Sequence, residues 1–268
     1  MTFLYKSSAT VCLVALCGIQ SVAADTTYKF TVENVSGDAY LAANLARNGQ
    51  LPVHISEVAE ANDLVASLTE LISDKPITES CDDMQFGVEL KKVFHEFFEY
   101  TGNNDYREVL QAALTAGLDT FKETYPQDVS KWAELWENEE FASLAYLLGS
   151  TSTRIGCVVG KCAIEETATR ETGGPEDPPE DPPEEPPAKP TVTATDKAVL
   201  FCKLDPSTQE NTAPFSEDYF KALIARETSL TDMTENDLQP SVELGAAPAA
   251  VPTILIAGLV AMLTTGFA

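Results

Sequence analysis

Residues Glu165 to Pro190, EETATRETGGPEDPPEDPPEEPPAKP, cannot enter a hydrophobic core, and this constrains everything around them. Half of the chain's 16 prolines fall between Pro175 and Pro190, and the stretch holds nine acids against two bases. A segment of that composition stays extended, polyproline-like and solvated. The flanking sequence has the opposite character. Arg154 to Val159 (RIGCVV) and Ala198 to Leu204 (AVLFCKL) read as strands, each with a cysteine. The chain is therefore expected to pair two strands around a long acidic loop. Closure entropy rises slowly with loop length, so such a loop costs little.

Upstream the pattern is helical. Asp38 to Arg47 (DAYLAANLAR) sets Tyr40, Leu41, Asn44, Leu45 and Ala46 near one face, with Gly49 as a stop. Leu51 to Ile55 (LPVHI) is an extended link. Ser56 is expected to cap a second helix to about Ser73, striped by Val58, Leu64, Val65, Leu68 and Leu71, before Pro76 bars its continuation. A third helix is expected from about Asp83 to Tyr100, because Phe86, Leu90, Phe94 and Phe97 recur at three- and four-residue steps. Asp105 to Thr124, Asp128 to Trp136 and Glu139 to Leu148 read as further helices. After Cys202, Ser216 caps an amphipathic helix (SEDYFKALIARE) with Tyr219, Phe220, Leu223 and Ile224 on its apolar side. Leu238 to Glu243 would be a tether.

The ends of the chain carry addresses. Lys6, the apolar run Ala9 to Ile19 and Ser21-Val22-Ala23 form a secretory signal over residues 1–23. Residues 25–240 then form the ectodomain, and 241–268 read as a GPI-attachment signal. Small residues at Gly245-Ala246-Ala247 precede an apolar tail, with Gly245 the attachment residue and Ala246 its alternative. A membrane span needs about 20 apolar residues. The tail after Pro252 is shorter, contains Gly258, and is followed by no Lys or Arg. Removing the leader takes Lys6 and no acid, so the formal charge goes from −25 to −26. That excludes the basic footprint that nucleic acid or anionic lipid would need. Cys12 and Cys17 leave with the leader. Cys81, Cys157, Cys162 and Cys202 remain, which in an oxidising compartment predicts two disulfides with three pairings open.

Three stretches resemble the CAP superfamily of cysteine-rich secretory, antigen 5 and pathogenesis-related 1 proteins. AYLAANLARNGQLPVHISEVAEANDLVASL looks like the opening helix, proline link and second helix. STSTRIGCVVGKC looks like the Gly-Cys strand, and VLFCKLDP like the closing strand. The signal-plus-anchor layout, NLARNGQLPVHI and PFSEDYFKALIARETSLTDMT resemble the SAG family of GPI-anchored surface antigens of Eimeria, apicomplexan gut parasites. The resemblance implies an α+β fold. It would be a three-layer α-β-α sandwich, CAP-like, with a small antiparallel sheet and disulfide staples. It also implies the pair Cys157–Cys202, and hence Cys81–Cys162. Many CAP proteins carry two histidines and two acids in a cleft, one histidine just before the Asn-x-x-Arg of the first helix. Here Ala43 precedes Asn44 and Arg47, and FASLAYLLG has no histidine for the second position. The family's metal cleft is therefore not implied, nor is any cofactor.

The remaining candidates are weak by chemistry. His54 and His95 are the chain's two histidines, and both read as packed or surface residues. Gly156 to Lys161 is one residue short of a phosphate loop and is followed by Cys162. Glu137, Glu139 and Glu140 lack calcium-loop spacing. Trp132 and Trp136 read as core. Asn34 heads the Asn34-Val35-Ser36 glycosylation sequon. These readings point to a non-enzymatic, GPI-anchored antigen on the outer leaflet, meeting host-cell surfaces or host immune factors. Its only membrane contact would be the anchor lipid. The alternative is a lipid- or sterol-binding module, with a hydrolase ranked last.

Overall fold

The computed structural model describes residues 24–73, 75–122, 124–168 and 190–239. The secretory signal, the anchor segment with Gly245 and Ala246, and most of the acidic segment lie outside them. Two long strands, β6 (Arg154–Ala168) and β7 (Thr191–Asp205), form the central hairpin, with Cys157 directly opposite Cys202. β1 (Ala24–Asn34) lies antiparallel along the other side of β6. β3 (Pro76–Glu79) and β4 (Met84–Gln85) extend the sheet beyond β1, and β5 (Phe94–Glu99) closes the far edge against β7. β2 (Ala59–Glu60) adds a short parallel pairing to β6. The result is a seven-stranded sheet, larger than the small antiparallel sheet the resemblance implies.

Helices cover both faces, because side chains on β6 and β7 alternate between two separate cores. Cys157, Val159, Leu200 and Cys202 point into the larger core. It is built with α1 (Gly37–Asn48), α4 (Tyr106–Asp119), α5 (Val129–Trp136), α6 (Glu139–Leu147) and α7 (Glu217–Ile224). Val158, Cys162, Val199 and Phe201 point the other way. They meet α2 (Asn62–Ile72), α3 (Val88–Lys91) and the β3–β4 turn. Gly156 lets α2 sit directly on β6: a Cβ there would lie 2.5 Å from the Val65 nitrogen. Gly117 does the same between α4 and α6, where a Cβ would lie 2.6 Å from Leu144.

Three sequence expectations are overturned. Asp83 to Tyr100 is not a helix but β4, the one-turn α3 and the edge strand β5. Phe94 and Phe98 lie under the helices while His95 and Phe97 pack on Phe86. Apolar residues therefore fall on both faces, and their spacing imitates a helix. Pairing with β7 outweighs that local pattern. Ser56 does not cap the second helix. The backbone at Ala59 and Glu60 is claimed by β6, and α2 starts at Asn62 after Ala61. The acidic segment begins later than its composition suggests, since Glu165 and Glu166 pair with Val192 and Thr191. Strand β1 was not anticipated, although Tyr28, Phe30 and Val32 alternate with Lys29, Thr31 and Glu33 in a clear two-residue period.

Candidate functional site

The most heavily bonded side chain in the interior is Arg47, at 0% exposure. It leaves the last turn of α1 and donates to four backbone carbonyls. Ser56 O accepts from Nη2 at 2.6 Å and Nε at 3.2 Å, and Gly149 O and Ser152 O accept from Nη2 at 3.0 and 3.2 Å. Leu147 O accepts from Nη1. Burial lowers its pKa to about 10. Asn44, one turn earlier, exchanges two 2.9 Å bonds with the Val58 backbone, and Asn48 accepts from Ile55 N at 2.9 Å. The Asn44–Arg47–Asn48 face of α1 thus anchors the proline link to the loop after α6. Tyr219 seals it by donating to Arg47 O at 2.6 Å, while Arg226 donates to the carbonyls ending α1. This polar network is structural: among the described residues, every acceptor of the guanidinium is a backbone carbonyl. Ala43 lies beside it, fully buried.

His95 is 4% exposed, not on the surface. Its ring lies edge-on to Phe86 at 5.1 Å. Nδ1 sits 3.0 Å from Val93 O, a carbonyl that can only accept, so Nδ1 carries the proton. Nε2 then faces Glu139 Oε1 at 3.5 Å. Burial lowers the His95 pKa. Its neighbour Glu96 points to the opposite face, where burial and then Glu140 raise its pKa to about 7. His54 is half-buried, with no partner for Nε2 among the described residues. The two histidines are not brought together. Trp132 and Trp136 are buried in the larger core, and Trp136 donates to Thr212 O at 2.8 Å.

Both disulfides are formed, and both end on β6. Cys157–Cys202 crosses the hairpin on the side of the larger core, and Cys81–Cys162 ties the β3–β4 turn to the opposite face. Asn34 ends β1 and is exposed, as is Ser36. Among the described residues, no group of three or more His, Cys, Asp or Glu is arranged to hold a metal ion. No helix among them is long and apolar enough to cross a membrane.

Two open clefts share Phe86. One, of about 490 Å³, lies at the β5 edge, with Phe86, Phe97 and Met84 as its apolar part and Asp82, Asp83, Glu99 and Glu139 around it. Its lysines are paired, Lys91 with Glu139 at 3.2 Å and Lys197 with Glu99 at 3.4 Å. The other, of about 440 Å³, is lined by Phe30, Leu71, Phe86, Val88 and Leu90, with Lys75 among its residues. Sequence reasoning missed both because it placed Phe86 and Phe97 on one helix.

No family model matches this chain, and no curated protein matches it. Among solved structures, it is similar to the crystal structure of the Eimeria tenella surface antigen protein SAG19. The two are 17% identical over 73% of this chain and 97% of that one, with a TM-score of 0.43.

Proposed function

We propose that this chain is a surface antigen, held outside the cell by a GPI anchor at Gly245 or Ala246 and acting by contact with host cells or host immune factors. The observation that carries the reading is the pair of buried disulfides, which supports folding in an oxidising compartment. The secretory signal, the small-residue site before the apolar tail and the sequence resemblance to the Eimeria SAG family support it. The Cys157–Cys202 bridge and the Asn44–Arg47 clamp support a CAP-like sandwich as its ectodomain. Asn34 is an accessible position for a glycan. Intact cells expressing the full chain are treated with phosphatidylinositol-specific phospholipase C. Release into the medium is the expected result, and retention on the cells would refute the anchor.

A second reading has its own observation. The apolar groove over Phe30, Leu71 and Phe86, with Val88 66% exposed in its wall, fits a lipid tail. Displacement of a fluorescent fatty acid tests it, and Val88→Asp should abolish binding. Equal binding by that variant would remove the groove from consideration.

A further inference from the structure

β5 is one edge of the sheet, opposite β4, and its outward backbone groups are only partly covered. Ser143 of α6 takes those of His95, accepting from its N–H at 2.9 Å and donating to its carbonyl at 2.6 Å. On the inner side, Tyr100 N donates to Asp196 O. Strand groups alternate, so the N–H and C=O of Phe97 and Glu99 also point outward. No described residue bonds to them. Unpaired edges of this kind are templates for another strand. Phe97 stands beside them at 47% exposure, one of five large apolar side chains exposed among the described residues. Its ring leans on Phe86 at 5.9 Å, in the wall of the 490 Å³ cleft.

The charge around this edge has one sign to spare. Lys91 and Lys197 are spoken for by Glu139 and Glu99, while Asp82 and Asp83 form no ion pair with any described residue. We propose that the β5 edge and its cleft dock an extended basic segment of a partner protein. The segment would add as a strand beside Phe97 and Glu99, resting an aliphatic or arginine stem on Phe97 and its cationic heads against Asp82 and Asp83. Backbone bonds would supply affinity, and the acidic aromatic cleft the selection. A second copy of the chain fits worse, because it brings another net charge of −25 to the same acids. The surface is independent of how the ectodomain is anchored.

The test uses the full chain in a mild non-ionic detergent and a fluorescein-labelled peptide of alternating arginine and valine, followed by anisotropy. Binding that weakens with salt is expected, together with none for the glutamate–valine counterpart. Methylating alternate amide nitrogens of the peptide should abolish binding while leaving its charge intact. Phe97→Ala, at an exposed position that does not hold the core, should weaken binding about tenfold. Asp82→Asn with Asp83→Asn should reduce the salt dependence. Binding indifferent to both amide methylation and Phe97→Ala would be charge attraction alone and would overturn the proposal. Absence of binding would also overturn it, as would a dimer of the chain that Phe97→Ala dissolves.

Discussion

The two faces of the sheet are defended differently. Five helices seal one face over a large aromatic core, in which Phe121 stacks against Phe141, Phe220 and Trp132 at 4.7 to 6.0 Å. The other face has a single long helix, α2, and a short cover from Pro76 to Lys91, made of β3, β4, the one-turn α3 and the turns between them, tied down by Cys81–Cys162. Large apolar side chains emerge at its margin, at Val88 and Phe97, and both clefts that share Phe86 open there. A helix-covered face buries most of its apolar surface by geometry, leaving Val129 and Ile224 exposed on the outer side of its helices. A turn-covered face needs a covalent tie and still leaves edges accessible. Stability should therefore concentrate on the first face and recognition on the second.

Arg47 offers the largest test of this division. Its guanidinium holds together α1, the proline link and the loop after α6, all on the sealed side. Arg47→Met should destabilise by roughly 3–5 kcal/mol, because several buried carbonyls lose their donor at once. Urea unfolding measures it, and Arg47→Lys should recover little, since one ammonium cannot span the same fork of acceptors. A loss below about 1 kcal/mol would mean that the sealed face does not depend on this centre.

The disulfides come next, one on each face. The loop-entropy model gives about 4 kcal/mol for either, with sequence separations of 45 and 81. Global stability will not tell them apart, but the location of the damage should. With Cys81 and Cys162 both changed to Ala, limited proteolysis should cut within residues 76–91. With Cys157 and Cys202 both changed to Ala, that segment should stay protected, because β6 and β7 remain paired over their length. Equal cleavage in the two variants would erase the distinction between the faces.

The same division explains what was legible in the sequence. On the sealed face the helices carry dense apolar patterns and recognisable starts. Asp105 accepts from Arg107 N, and Ser216 from Tyr219 N. α1, α4, α5, α6 and α7 were therefore placed to within a few residues, although α4 ends at Asp119 rather than Thr124. On the thin face the sequence misleads, because Phe86, Phe94 and Phe97 serve two different cores while keeping helical spacing. The polar half of the Arg47 centre was equally opaque. Arg47 and Asn44 are ordinary helix residues until the link folds back and supplies carbonyls that no local pattern announces. β1 is legible by its alternation, masked only by following directly on the expected leader.

Ser143 marks where the two faces meet, since α6 reaches the β5 edge through its hydroxyl. Ser143→Ala removes the acceptor for a buried N–H and should cost about 1–3 kcal/mol. Hydrogen exchange should rise at the His95 amide more than at Phe94, whose strand pairs with Cys202. Uniform exchange along β5 would mean that Ser143 does not cap the edge.

Glu96 should give the smallest effect and the one with a pH signature. It lies on the sealed side of β5, where burial and Glu140 lift its pKa to about 7, against an ordinary value of 4.5. The folded state therefore holds this proton more tightly than the unfolded state. Its contribution favours folding as pH falls from above 7 toward about 4.5, and is lost as pH rises through about 7. Glu96→Gln removes the charge and should be more stable than the parent at pH 8 by on the order of 1 kcal/mol, allowing for solvent screening. The gain should shrink as pH falls toward 5. His95, one residue earlier but facing the thin side, works in the opposite sense. Burial lowers its pKa, so the unfolded chain takes up its proton first and stability falls with acid below the ordinary value of 6.5. In the parent the two slopes partly cancel, and in Glu96→Gln the His95 slope should stand alone. Thermal melts across this range decide it: a gain that stays constant with pH would show that Glu96 is ionised in both states and that the sealed face admits water at the β5 edge.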